Sequence, residues 1–193
     1  MKLSEIYKEH IEEFLKHVEN KSEWEELIEN SLNKKELFER FFQSIINYTY
    51  TKENHMDSRL KFLFYCISIE AYYNFNKRKY GNSTQTFAKF FKNLSETKKE
   101  LIEQKFKVTS NKQPDKSYSK ADILKKFPRY IYEERSDFVH QGIHFGLNSS
   151  TGFLTYFREQ ENNIDLELTI EDFEQIYLDG LYNNLKKEVE NIQ

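Results

Sequence analysis

Apolar residues recur at helical spacing along most of the chain. Ile6, Ile11, Phe14, Leu15 and Val18 mark one helical stripe, and Trp24, Leu27 and Ile28 a second. Ser22-Glu23-Trp24-Glu25 has the form of a capping box at the start of that second helix. Leu37, Phe38, Phe41, Phe42, Ile45 and Ile46 carry a third, with Asn33 placed to cap it. Residues 1–50 therefore read as an N-terminal helical extension, and residues 51–193 as the main helical domain.

Residues 57–76 form the most apolar segment, from Leu60 and Phe62 to Tyr72 and Tyr73. A helix apolar on nearly every side is buried on several sides. Thr84–Leu94 and Glu96–Phe106 predict two further helices. Val108–Tyr118 is polar and reads as a loop. Ser119 caps a helix through Phe127, and Pro128 suits the first turn of a new or kinked one. Between residues 152 and 168 the period shortens to that of strands, which predicts a small β-hairpin. Thr169-Ile170-Glu171-Asp172 then caps a last helix with the stripe Phe173, Ile176, Tyr177, Leu181, Leu185 and Val189. The expected fold class is mainly all-α.

Composition agrees with that class. Gly (5) and Pro (2) are scarce, which disfavours a turn-rich β fold, whereas Phe (17) and Tyr (13) point to a core built from rings. The formal net charge of −3 argues against a protein that coats polyanions, so any nucleic-acid contact must come from a local patch. Cys66 stands alone in an apolar run and reads as a small core residue. The charged start is unlike a signal peptide, and no apolar run reaches membrane-span length, so a cytoplasmic setting without membrane contact is expected.

The richest chemistry lies in Glu134-Arg135-Ser136-Asp137-Phe138-Val139-His140-Gln141-Gly142. A histidine titrates near neutral pH and an arginine is a permanent cation, which together suit RNA cleavage without a metal. Positions five apart lie about 140° apart around a regular α-helix. Arg135 and His140 can therefore share a site only through a distorted helix or a second chain. Arg135 also sits on an apolar stripe with Ile131, Phe138 and Val139, and needs a partner. Glu70, in the apolar central helix, is its natural mate, either as a structural ion pair or as the residue that orients it. His140 and His144 have zinc-ligand spacing, but Gly142 intervenes and no Glu or Cys completes a set, so neither a metal nor a cofactor is expected.

Arg135-Ser136-Asp137-Phe138-Val139-His140, on a late long helix, resembles the R-x(4–6)-H motif of the HEPN superfamily. The resemblance covers roughly residues 55–190 by order of elements, and the aromatic helix with Glu70 resembles the family's central helix. The residue after the arginine is most often Asn, Asp or His in that family, and Ser136 departs from it. The resemblance implies a metal-independent endoribonuclease of toxin or phage-defence type. In it His140 moves protons at the 2′-hydroxyl or 5′-oxygen, Arg135 stabilises the crowded phosphate, Ser136 assists, and Glu70 supports Arg135. It also implies a homodimer with a composite cleft, RNA as substrate, and an antitoxin or regulatory protein as a further partner. The alternative is a HEPN-like module that binds or dimerises without catalysis. Lys77, Arg78 and Lys79, with Lys125, Lys126 and Arg129, are candidate contacts to an RNA backbone, and Tyr72 and Tyr73 candidate stacking rings.

Overall fold

The structure is a computed structural model that describes residues 5–54, 56–74, 83–110, 118–141, 153–154, 157–159 and 162–191. Its described elements in chain order are α1 (Glu5–Leu15), α2 (Lys21–Ser31), α3 (Lys35–Glu53), α4 (Ser58–Asn74), α5 (Ser83–Lys92), α6 (Glu96–Lys105), β1 (Phe106–Ser110), α7 (Lys120–Gln141), β2 (Phe153–Leu154), β3 (Phe157–Glu159), β4 (Asn162–Leu166), β5 (Leu168–Thr169) and α8 (Ile170–Glu190). The fold is mainly α.

The helical stripes place the core. The last-helix residues Phe173, Ile176, Tyr177, Leu181, Leu185 and Val189 are all buried, and the Thr169–Asp172 capping box is formed in both directions. On α4, Phe62, Tyr65, Cys66, Ile69 and Tyr72 are fully buried, whereas Leu60 is exposed, so this helix buries one broad face and not its whole circumference. One contiguous buried cluster runs from Ile11 through Phe41 and Tyr65 to Val189.

Rings dominate its centre. Tyr65 stacks on Tyr177 at 5.4 Å and 13°, and Tyr48 lies 5.9 Å from each of them. Three phenols so placed need polar exits. Tyr48 donates to Glu174 Oε1 at 2.7 Å and Tyr65 to Glu174 Oε2 at 3.1 Å, while Lys52 pairs with the same carboxylate. The Tyr177 hydroxyl reaches the Ser44 carbonyl at 3.4 Å. Burial pushes all three phenols well above the usual tyrosine range.

Several helix starts differ from the sequence expectation. Ser22 lies inside α2, and the N-cap is Asn20 in the left-handed region (φ 53°), with its carbonyl accepting from the Glu23 and Trp24 amides. Asparagine tolerates that conformation better than most residues. The residue before α3 is Lys34, not Asn33, and it makes no side-chain cap. Pro128 starts no new helix: α7 runs unbroken from Lys120 to Gln141 with the proline inside it. The missing amide bond is offset by burial of Phe127, Tyr130 and Ile131 around it. Ser119 does cap α7, accepting from the Asp122 amide at 3.2 Å.

The stretch read as a loop from Val108 begins as a strand. β1 pairs antiparallel with β4 in the register Phe106↔Leu166 to Ser110↔Asn162, and β4 also pairs with β3, Phe157 opposite Ile164. β2 pairs antiparallel with β5. Alternation alone could not reveal β1, because its pairing partner lies more than fifty residues downstream.

Candidate functional site

α4 and α7 each contribute one charge to the candidate site. Glu70 lies on the last turn and a half of α4, between buried Ile69 and Tyr72. Arg135 follows buried Tyr130 and Ile131 on α7. The packing of these helices brings the two together, and Arg135 Nη2 donates to Glu70 Oε2 at 2.7 Å. Their side chains are 20% and 19% exposed. Burial pushes the Glu70 carboxyl up, and the guanidinium beside it works against that rise. Arg135 Nε is buried and has no partner among the described residues. Replacing Glu70 by alanine should cost about 2 kcal/mol of stability in urea unfolding, less than for a fully buried pair, because it leaves a half-buried cation without its acceptor.

His140 lies on the same helix, but its side chain is outside the described residues, as are Gly142, His144, Lys77, Arg78 and Lys79. α7 is α-helical across positions 135 to 140, so no local distortion brings those two positions to one face. Ser136 is half-buried. Val139, one turn beyond Arg135 on its face, is 49% exposed.

The weaker candidates are dispersed. Arg129 is exposed and its Nε donates to Glu133 at 2.6 Å, so its charge is largely countered. Lys126 lies over the Tyr118 ring at 5.2 Å, and Lys125 is exposed. Tyr72 is fully buried, and half-buried Tyr73 donates to Asn184 at 2.6 Å with Lys89 5.3 Å from its ring centre. Cys66 is buried and its thiol is pushed up by burial, which makes it a core residue. Among the described residues no cluster of three or more His, Cys, Asp or Glu is placed to hold a metal ion, and no helix is long and apolar enough to cross a membrane. No family model matches the chain, and no curated protein or solved structure matches it either.

Sequence reasoning passed over Glu134. Burial, with Asp137 and Glu133 close by, pushes its carboxyl up to about 7. The signal was present as three acids within five residues of a half-buried helix face. In the unfolded chain this group ionises near about 4.3. Between that value and about 7 the folded protein holds a proton that the unfolded chain has released. Its contribution to stability is therefore present at low pH and lost as pH rises through 7. Glu134→Gln should be more stable than wild type by about 2 kcal/mol at pH 8, after allowance for solvent screening, and equal to it at pH 4. Urea midpoints at the two pH values check this.

Proposed function

We propose that the chain is a metal-independent endoribonuclease of HEPN type whose site is shared between two copies. The observation that carries this reading is Arg135, a cation held on α7 by its contact with the Glu70 carboxylate, five residues before His140. A fixed guanidinium stabilises charge that develops on a phosphate, and a neutral-range histidine moves the proton. The attacking group is the RNA 2′-hydroxyl, so the protein needs neither a nucleophile nor a metal. It leaves a 2′,3′-cyclic phosphate and a free 5′-hydroxyl.

The continuity of α7 supports the shared site. One chain presents Arg135 and His140 about 140° apart, so two copies facing each other supply the complementary halves. An antitoxin or other regulator would then act by covering the Arg135 face.

A second reading has its own observation. Glu70 already pairs with Arg135 inside one chain, as it would in a HEPN-like module that binds or dimerises without catalysis. Incubation of the purified chain with RNA in EDTA separates the two. Cyclic-phosphate ends are expected from the nuclease, and intact RNA would leave the binding module.

A further inference from the structure

A polar cleft of about 440 Å³ opens where α3, α4, α5 and α8 meet. It shares no residue with the Arg135–Glu70 pair. Among the described residues Arg40, Lys89, Lys92 and Lys187 line it, against two carboxylates, Glu36 and Glu188. A local excess of two positive charges stands out in a chain whose formal net charge is −3.

What holds these cations matters more than their number. Among the described residues Arg40 alone of the four is ion-paired, through Nη2 to Glu188 at 2.5 Å, and its Nη1 donates to the Tyr72 carbonyl at 3.3 Å. Its Nε is buried without a partner among the described residues. Lys187 donates to the amide oxygen of Asn93 at 3.1 Å, and Lys89 sits 5.3 Å from the centre of the Tyr73 ring. Those partners are neutral, so they position the ammonium groups without cancelling their charge. Lys89 and Lys92, one turn apart on α5, repel each other.

The floor is rigid. Asn184 is 2% exposed and uses its whole side chain: Nδ2 donates to the Phe90 and Gly180 carbonyls, and Oδ1 accepts from Tyr73 and Asn93. Asn93 in turn orients Lys187, so three helices fix the cationic rim through one buried amide.

We propose that this cleft binds a phosphomonoester dianion. Two negative charges match the excess of two, and tetrahedrally placed oxygens can accept from ammonium groups arriving from α5 and α8. The volume leaves room for a sugar beside the phosphate. A free nucleotide and the 5′ end of an RNA both present this group.

Isothermal titration with inorganic phosphate, at ionic strength held constant with chloride, tests the proposal. Wild type should bind, and Lys89→Gln/Lys187→Gln should weaken binding at least about tenfold, the loss of two charge-assisted contacts. Both lysines are exposed, so the variant should fold, and circular dichroism checks that it has. If it does not fold, Lys92→Gln takes its place, with weaker binding again expected. Adenosine 5′-monophosphate against adenosine reads the free nucleotide. A 5′-phosphorylated against a 5′-hydroxyl 2′-O-methyl oligonucleotide, which cannot be cleaved through a 2′-hydroxyl, reads the RNA end. Preference for the phosphorylated member of either pair supports the proposal and names the source. Absent phosphate binding, or binding that the lysine variants leave unchanged, overturns it. RNA cleavage in EDTA is read separately on wild type: phosphate binding that depends on Lys89 and Lys187 stands whether or not wild type cleaves RNA, so failure of the nuclease reading and failure of this site are separately visible.

Discussion

His140→Ala is expected to lower RNA cleavage by at least about 100-fold, the usual contribution of a positioned proton-transfer group. Arg135→Ala should lower it by a similar or larger factor, because electrostatic stabilisation at the phosphate is lost with the guanidinium. A shared site makes a further and sharper demand. Each single variant retains the half that the other lacks. A mixed dimer of the two then contains one complete Arg135–His140 set, contributed by different chains. Mixing the two inactive proteins under conditions of subunit exchange should restore a measurable fraction of wild-type cleavage. Two chains that each hold a full site alone would show no recovery. Wild-type cleavage by His140→Ala would remove the catalytic assignment altogether.

Gly180→Ala is expected to destabilise the fold by about 3 kcal/mol, at the upper end of the range for overpacking. A Cβ at position 180 would overlap Phe90 Cε1 and stand 2.9 Å from its Cζ. Phe90 has little room to give way. It is fully buried, it stacks on Tyr177 at 6.0 Å and 13°, and Phe91 meets its edge at 5.4 Å. Its carbonyl is also bound by Asn184. For a chain of this length the loss corresponds to a thermal midpoint about 9 °C lower. Phe90→Leu introduced with Gly180→Ala should recover part of it, because the shorter side chain removes the close approach while giving up a ring contact. A double-mutant cycle in calorimetry measures that coupling. Independent, additive losses would show that the ring moves aside.

The two expectations depend on different kinds of information. The motif residues were visible in the chain because a spacing rule is local: Arg135, Ser136 and His140 fall within six positions. Glu70 was also legible, since a carboxylate in an apolar helix requires a cation, and the structure brings it to Arg135. Gly180 gave no such signal. A glycine inside a helical pattern reads as a weak spot until the ring opposite it, ninety residues away, is placed.

The sequence alone determined the helical class, the α8 stripe with its Thr169–Asp172 cap, and a core made of rings. These arise from periodicity and from side-chain hydrogen bonds spanning three residues, which are local physics. Tertiary structure decided what depends on distant encounters. It carried α7 through Pro128, began α2 after Asn20 without the side-chain cap expected of Ser22, and paired β1 with β4. It converged Tyr48 and Tyr65 on Glu174. It also set four cations from three helices around one cleft, where neutral partners leave most of their charge uncancelled. Burial and long-range charge act through space, and no window along the chain contains them.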